Sequence, residues 1–326
     1  MRKIIFIVSF LTLFFSVKAQ FDTTHVHLTK NQFTVYPMME LAYLELKFKD
    51  NNFERGIYST TLTSRYTTSV GFGMSFYRFG FSFSFQLPYS DIDELKNSKA
   101  FNFAGGYSYK RFYGELRYRD YKGFQKADLI HDSIKGDVHV RKDIELKQVG
   151  LAMNYFFSRK FNFDANFKNY NIQKKSAASF LVLAGTNFYR IKGSYLIADT
   201  NHVASDITYV KDLDVYAIKV APGGAFSLTY KGLYWSTLLA VGAAFNRNIL
   251  KGDTRKNIVY QWTPVVEGRS AIGYNSQKWF ASLTLNIESD YFFSSEVNLS
   301  VMNVFYNLKV GYKFNSKYLG KLEKYL

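Results

Sequence analysis

The sequence contains no cysteine, and only four of its 326 residues are proline. Without cysteine the chain cannot form a disulfide framework, a thiolate zinc site or a cysteine nucleophile. After residue 20, no run approaches the roughly 18 consecutive apolar residues that a membrane-spanning helix needs. The mean hydropathy of −0.16 also argues against several such helices. These absences exclude a disulfide-stabilised scaffold and a polytopic helical protein.

The first 19 residues have the composition of a secretory signal peptide. Arg2 and Lys3 precede an apolar run over residues 4–15, and the small residues Val17 and Ala19 stand before Gln20. A basic start, an apolar stretch and small residues before the cut form the order that signal peptides share. We therefore predict cleavage before Gln20 and export from the cytoplasm, which argues against nucleic acid as a partner.

The remaining chain alternates between apolar and polar residues. In 279–287 every second residue is apolar, and from residue 282 on serine, threonine and asparagine alternate with them; 149–157, 258–274 and 303–314 repeat the pattern. Because successive side chains of a strand point to opposite faces, each segment predicts a strand with one apolar and one polar face. Further candidate strands cover about 38–49, 58–66, 69–77, 81–86, 99–109, 111–119, 161–168, 178–190, 214–229 and 232–247.

Two architectures produce this alternation. A soluble sandwich buries the apolar face, whereas a transmembrane barrel turns it to lipid and its polar face to the lumen. Many segments reach the roughly 9–11 residues of a tilted spanning strand. Tyrosine and phenylalanine, which supply most of the 19% aromatic content, recur at strand ends, where interfacial girdles belong. The pattern predicts an all-β fold, a transmembrane antiparallel up-and-down β-barrel.

The pattern leaves two strand counts open. Between 12 and 14 segments are recognisable, and an even number is expected when both chain ends lie in the periplasm. We predict 12 strands, with 14 as the alternative. The corresponding organisation is a signal peptide over 1–19, a periplasmic segment over 20–37, the barrel over 38–314 and a basic tail over 315–326.

One block of the sequence resembles a known family. Residues 173–181, Gln-Lys-Lys-Ser-Ala-Ala-Ser-Phe-Leu, preceded by Phe161-Asn162-Phe163, are similar to the "QKKSAGSF" signature of the domain of unknown function 4421. The motif-bearing positions are Gln173, Lys174, Lys175, Ser176 and Ser179. Residues 222–226 and 273–280 resemble a later strand and a later hairpin of that family. The resemblance implies an outer-membrane barrel of a Gram-negative, Bacteroidetes-type cell and brings no established activity.

Charged residues occupy many polar-face positions of the predicted strands. The set predicted to face the lumen comprises Glu45, Lys47, Glu115, Arg117, Arg119, Asp164, Lys168, Glu267, Arg269, Glu288, Asp290, Lys309 and Lys313. Charges of both signs that are shielded from water must find partners. We predict a paired network that fills the lumen, with a selective pore or binding cavity as the alternative.

The five histidines give little support for catalysis. A barrel hydrolase needs a base beside a nucleophile, and no histidine falls within a predicted strand. The run His131-Asp132-Ser133 reads as a polar loop, and His25 and His27 read as part of a solvated segment. We predict no catalytic, metal or cofactor site, and no enzymatic activity.

The predicted function is that of a structural or interaction barrel in the outer membrane. The alternatives are a pore or transporter for small or hydrophobic solutes and, third, a barrel hydrolase. The net charge of +16 suits contact with the lipids of the outer membrane, including anionic headgroups. The segment 308–314 resembles the terminal signal read by barrel-insertion machinery, and we predict that it closes the barrel by pairing with the first strand. Nothing in the sequence specifies an oligomeric state.

Overall fold

The computed structural model describes residues 21–29, 31–50, 59–87, 98–126, 140–194, 196, 210–252, 256–293 and 297–315. Its strands are β1 (Val26–His27), β2 (Gln32–Asp50), β3 (Ser59–Phe76), β4 (Phe79–Gln86), β5 (Lys99–Tyr109), β6 (Phe112–Lys126), β7 (Val140–Phe156), β8 (Ile172–Gln173), β9 (Ala177–Lys192), β10 (Asp212–Tyr230), β11 (Leu233–Lys251), β12 (Lys256–Asn275), β13 (Trp279–Phe292) and β14 (Val297–Asn315). One π-helical turn covers Asp164–Lys168. No helix among the described residues combines the length and apolar character that crossing a membrane requires. The predicted signal peptide and nearly all of the predicted tail lie outside the described residues.

Twelve of the strands form one closed antiparallel barrel. Each of β2–β7 and β9–β14 pairs with its neighbour along the chain, and β14 pairs with β2 to close the ring. At this seam Phe314 lies opposite Phe33. The predicted up-and-down barrel of 12 strands and the pairing of the last strand with the first are both confirmed. The first strand begins at Gln32, before the predicted start at residue 38.

Three of the predicted segments account for the difference between 12 and 14 strands. The segments 58–66 and 69–77 are halves of the single strand β3. The prediction of a strand over 161–168 is wrong, because those residues fold inward as a plug with a π-helical turn. The phenylalanines at every second position in 161–167 are spaced like a strand. They are held instead by packing against the inside of the barrel.

The half of the barrel that contains the short turns has an apolar outer wall. On β7, β10, β11 and β13, respectively, Leu151, Ile218, Leu239 and Leu283 all point outward and are roughly half exposed. A continuous apolar surface of this extent is stable in lipid and not in water. The inward neighbours on the same strands are mostly small or polar. This half therefore has the outer wall of a membrane-spanning barrel.

Toward the other end the polarity of the two faces reverses while the alternation continues. On β2 the inward Leu44, Leu46 and Phe48 are fully buried, and the outward Glu45 and Lys47 are partly exposed. Similar inward residues from ten strands form one apolar cluster, the outer core. It consists of Ala42, Leu44, Leu46, Phe48, Leu62, Ala100, Tyr121, Phe124, Ile144, Leu146, Tyr189, Ile191, Leu196, Val210, Leu213, Val215, Leu250, Phe292, Leu299, Val301 and Phe305. This end has the arrangement of a soluble protein, with a polar, solvent-exposed exterior and an apolar interior.

The outer wall around this core carries ion pairs. Lys122 Nζ lies 2.6 Å from Glu145 Oε1, and Asp214 lies between Arg190 (2.7 Å) and Lys251 (2.5 Å). Strands such as β10 and β11 have 19 residues, or about 60 Å at about 3.3 Å per residue. Because a tilted strand crosses the bilayer with roughly 9–11 residues, the strands extend well beyond the membrane at this end.

The hairpin of β4 and β5 is shorter than its neighbours. β4 ends at Gln86, and beyond it β3 pairs directly with β6 through Leu62–Lys126 and Thr63–Gln125. The ring therefore contains two strands fewer around the outer core than in the membrane. A narrower ring is easier to fill with side chains, which suits a packed apolar interior at this end.

The connections between strands differ in length at the two ends of the barrel. Residues 77–78, 110–111, 231–232 and 276–278 make short turns at one end. At the end of the outer core, the connections include 51–58, 87–98, 127–139 and 193–211. In outer-membrane barrels the short turns face the periplasm and the longer loops face outward. By this rule we expect both described chain ends on the periplasmic side.

Candidate functional site: the plugged lumen

The connection between β7 and β9 folds back into the barrel and forms a plug over residues 157–176. Its strand β8 pairs with β1 of the N-terminal segment, with Val26 opposite Gln173. The Asp22 backbone N–H also donates to the Arg159 carbonyl over 3.0 Å. The N-terminal segment therefore lies against the plug at the end of the short turns. Irregular backbone at membrane depth is tolerated when protein surrounds it in this way.

The family-like motif of residues 173–179 fastens this plug. The Gln173 amide donates to the carbonyls of Lys160 (2.7 Å) and Lys175 (2.9 Å), which joins both ends of the plug. Ser176 Oγ accepts the Thr229 N–H over 3.0 Å, and Ser179 Oγ accepts the Ser158 N–H over 2.9 Å. Lys174 and Lys175 are exposed. The glutamine and the serines therefore have a structural role, and only the two lysines are available for other contacts.

The apolar side of the plug packs on the wall formed by β9–β12. Phe161, Phe163 and Phe167 are buried against inward residues that include Ala221, Ala225, Leu238, Ala240 and Ala271. The small side chains of the wall leave the space that the three rings occupy. Asn275 donates to the carbonyls of Ala165 (3.0 Å) and Asn171 (2.8 Å). The plug is thus held by both apolar contacts and hydrogen bonds.

Above the plug, Glu115 on β6 is the centre of a buried ion cluster. Arg117 Nε lies 2.6 Å from its carboxylate, Lys168 Nζ lies 3.1 Å away and Arg269 Nη2 lies 3.2 Å away. The Tyr113 hydroxyl also donates to it. These partners come from β6, the plug and β12. Glu115 therefore joins the plug to two sides of the barrel.

Two further glutamates extend the cluster across the lumen. Glu288 on β13 accepts from Arg117 and binds Arg119 with both oxygens, at 2.8 and 3.0 Å. Glu267 on β12 pairs with Lys219 of β10 and lies 3.6 Å from Arg117. Seven predicted lumen residues thus lie in one network: Glu115, Arg117, Arg119, Lys168, Glu267, Arg269 and Glu288.

The other predicted lumen residues that point inward lie outside this network. Asp290 accepts hydrogen bonds from Tyr189 and, over 3.0 Å, from Asn187. Lys313 donates to Asn275 Oδ1 (2.7 Å) and to the plug carbonyl of Tyr170 (3.3 Å). Lys309 has no hydrogen-bond or ion-pair partner among the described residues, and its Nζ lies 5.9 Å from the centre of the Tyr36 ring.

Asp164 lies in the plug, outside the spanning strands. Ser108 Oγ donates to its carboxylate over 2.6 Å. Burial raises the pKa of Asp164 to about 6, although the hydrogen bond from Ser108 and the charge of Lys168 act in the opposite direction. The carboxylate fastens the start of the π-helical turn to β5.

The prediction that Glu45 and Lys47 face the lumen is wrong. Both lie on the outer wall of β2, where the Tyr43 hydroxyl donates to Glu45 Oε2 over 2.7 Å. The two residues do share one face of the strand, as the alternation predicts. The error was the assumption that the polar face always lines the lumen. Beyond Leu41 this strand leaves the apolar belt, and from there the polar face is the outer one.

The sequence prediction also missed two inward charges, Lys219 and Glu40. Lys219 stands between Ala217 and Ala221 on the inner face of β10 and is almost completely buried. Glu40 accepts from Ser84 (2.9 Å) and Asn102 (2.5 Å). At position 219 the sequence contains a signal, because Lys219 is a single charged residue among small or apolar residues of one strand face. Glu40 was missed because the opposite face of β2, with Glu45 and Lys47, was predicted to line the lumen.

A cavity of about 90 Å³ lies beside the ion cluster. The inner faces of β4 and β5 contribute only small polar or apolar side chains here, among them Ser82, Ser84 and Ala104, and the plug does not fill this side. Five cationic side chains line the cavity: Arg117, Arg119, Lys168, Arg269 and Lys309. Three carboxylates line it as well: Glu40, Glu115 and Glu288.

The described residues contain no group of three or more histidine, cysteine, aspartate or glutamate side chains placed to hold a metal ion. His25 and His27 lie in the N-terminal segment next to the plug. His131, His139 and His202 lie outside the described residues.

The comparisons with known proteins agree with the family resemblance. The model of the family described as "Domain of unknown function (DUF4421)" matches residues 20–314. The chain belongs to this family. No curated protein sequence matches it.

Several solved outer-membrane proteins share a distant similarity with the structure. The outer membrane protease OmpT of Escherichia coli is 8% identical, with 90% of this chain and 100% of that chain covered and a TM-score of 0.39. The toluene transporter TodX of Pseudomonas putida is 5% identical, with 88% and 91% covered and a TM-score of 0.34. The attachment invasion locus protein Ail of Yersinia pestis is 9% identical, with 88% and 100% covered and a TM-score of 0.23. At these TM-scores the likenesses carry no argument, and the strand pairing of the chain itself defines the barrel.

Proposed function

We propose that this member of the DUF4421 family is an outer-membrane barrel that is closed to diffusion and acts as a structural or interaction protein. The observation that carries the proposal is the filling of the lumen at three successive levels. The plug occupies the end of the short turns, the ion cluster crosses the middle, and the outer core fills the other end with apolar side chains. The apolar belt and the alternating loop lengths support placement in the outer membrane.

The first test is a conductance measurement on the refolded protein in planar lipid bilayers. We expect no steady conductance from the wild-type barrel, because water has no continuous polar path through the outer core. A variant in which residues 160–175 are replaced by a short glycine-serine linker should also remain closed for the same reason. Insertion is verified by flotation with vesicles, and a known porin serves as the conducting control. A steady ohmic current through the wild-type barrel would overturn the proposal in favour of a pore.

A transporter is the second candidate, and one observation favours it. The cavity beside the ion cluster is followed toward the short turns by a much smaller one of about 10 Å³, and Lys168 lines both. A movement of the plug could join such spaces into a path for a small solute. A hydrolase would need a histidine beside a nucleophile, and the described histidines lie away from these cavities. The absence of enzymatic activity stays a prediction, as does recognition by barrel-insertion machinery.

The lipids of the inner leaflet are the proposed partners of the basic turns. Arg78 lies 4.6 Å from the ring centre of Tyr77 and 4.8 Å from that of Tyr109, and Lys231 lies 5.3 Å from that of Tyr230. Arg111 similarly lies 4.9 Å from the centre of the Tyr155 ring. In the described part of the chain, none of these cations pairs with a carboxylate, unlike the ion-paired wall at the other end. Stacking on the aromatic girdle places them at headgroup height, where anionic phosphates can bind them.

This lipid contact predicts a dependence of stability on lipid charge. Replacing Arg78, Lys110, Arg111 and Lys231 by glutamine should remove most of the stabilisation that phosphatidylglycerol gives over phosphatidylcholine, at about 1 kcal/mol or less for each residue. Urea unfolding in vesicles of the two compositions measures the difference. The matched control replaces Lys47, Lys49, Lys142 and Lys192 of the outer wall and should retain the lipid effect. Equal lipid dependence in both variants would contradict the assignment.

A further inference from the structure

The cavity beside the ion cluster has an excess of positive charge. Its five cationic side chains face three carboxylates, which leaves two positive charges uncompensated within the lining. Taking ions out of water is costly unless each one is paired. The excess therefore calls for a negatively charged occupant.

The carboxylates of the lining are already engaged. Glu115 accepts from four side chains, Glu288 is shared by two arginines, and Glu40 accepts from Ser84 and Asn102. Lys309 lines the same cavity, and its ammonium group makes no hydrogen bond or ion pair with these carboxylates or with any other described residue. Arg269 and Lys168 line the same cavity, and each has donors beyond those that Glu115 accepts. These three cations are the groups with unused donors.

We propose that this cavity is a binding site for a small oxyanion, the carboxylate or phosphate group of a small solute, held by Lys309 with Arg269 and Lys168. Charge-assisted hydrogen bonds from lysine and arginine are the interactions by which proteins bind such groups. Arg117 and Arg119, both deeply buried, fix the glutamates that would otherwise repel the anion. The site does not depend on whether the barrel conducts.

The anion enters this site from the periplasm. The smaller cavity begins at the turn of Tyr77 and Arg78, passes Gly80, Gly106 and Ser108, and reaches Lys168, which also lines the larger cavity. Glycine and serine leave a narrow gap on one side of this cavity, and the aromatic rings of Tyr77, Phe79, Tyr113 and Tyr170 line the rest. At the opposite end the outer core closes the lumen. The solute would therefore come from the periplasmic pool.

The test is a calorimetric titration of the refolded full-length mature protein in an uncharged detergent. Sodium phosphate and sodium malonate are titrated separately at constant ionic strength, with sodium chloride as the reference salt. We expect saturable binding of at least one oxyanion, and the two arms show whether the site prefers phosphate or carboxylate. Lys309→Met should raise the Kd at least about tenfold, as the loss of one charge-assisted contact predicts. The control Lys47→Met on the outer wall should leave the Kd unchanged.

The stability of the ligand-free protein gives a second readout. Because Lys309 makes no hydrogen bond or ion pair with the described residues, Lys309→Met should leave the unfolding temperature without oxyanion unchanged or higher, and it should abolish the rise that oxyanion causes in the wild type. If that variant does not refold, Lys309→Gln takes its place, and the wild-type titration alone still tests the site. Failure of both oxyanions to bind saturably, or equal affinity in the Lys309 and Lys47 variants, would overturn the proposal. A conducting barrel with intact oxyanion binding would overturn only the closed-barrel function.

Discussion

Leu46→Asp is expected to destabilise the barrel severely, whereas Lys47→Asp one residue further along is expected to be tolerated. Leu46 is fully buried in the outer core, and an aspartate there loses the contacts of a large apolar side chain and places an unpaired charge in a dry interior. Truncating a buried leucine alone costs about 2–5 kcal/mol, and the unpaired charge adds to this. Lys47 is partly exposed on the outer wall, where substitutions usually change stability by about 0.5 kcal/mol or less.

The two variants are compared by urea unfolding of the refolded proteins and by the shift in gel mobility that folded barrels show before heating. A matched pair on another strand, Leu146→Asp and Lys147→Asp on β7, should repeat the contrast. The reverse order, with position 47 sensitive and position 46 tolerant, would mean that the polar face of β2 points inward along its whole length. That result would restore the lumen assignment of Glu45 and Lys47 and remove the outer core.

The contrast between these neighbours also explains which part of the fold was predictable. Alternation fixes which residues share a face, and it identified the strands correctly over most of the barrel. It does not say which face is inside. In the membrane half the lumen is polar, but around Leu44 and Leu46 the interior is apolar, because water surrounds the barrel there. The assumption that polar residues always face the lumen is therefore correct for Glu115 and Glu288 and wrong for Glu45.

The plug could not be predicted from alternation at all. Phe161, Phe163 and Phe167 follow the period of a strand, yet they fill the space beside the alanines of β10 and β11. That complementarity depends on residues far apart in the sequence. Local signals were present, since Asn162 Oδ1 accepts the Ala165 N–H over 2.7 Å at the start of the π-helical turn, as side-chain caps do. These local signals can be interpreted only when the barrel that surrounds the plug is known.

The candidate site shows the same division between local and long-range information. The inward position of Arg117 and Arg119 follows from alternation on one strand. The partners of Glu115 come from β6, β12 and the plug, and they meet only because the ring closes. The sequence likewise does not show that Lys309 lacks a hydrogen bond or ion pair among the described residues, because its neighbours in the cavity come from other strands and the plug.

Glu115→Gln is expected to have the second large effect, because one carboxylate holds three cations from three elements. Glutamine has nearly the same shape, but it removes the negative charge that Arg117, Lys168 and Arg269 share. Breaking a buried ion pair by removing one partner costs about 3–5 kcal/mol, since the other charge stays buried without compensation. The free energy of unfolding from urea titration in phosphatidylcholine vesicles measures the loss. The control Glu45→Gln removes a carboxylate from the outer wall and should cost about 1 kcal/mol or less.

A double-mutant cycle separates the loss of the charge from other effects of the substitution. Lys168→Met removes one of the cations that Glu115 holds, so the double variant with Glu115→Gln should be less destabilised than the sum of the two single variants. Contacting residues in one ion network usually show such coupling at about 0.5–3 kcal/mol. Additive costs, or an equal loss in Glu115→Gln and Glu45→Gln, would show that the cluster does not hold the plug to the barrel. In that case the plug would be fastened by its phenylalanines and by Gln173, and its anchoring would not depend on the charges above it.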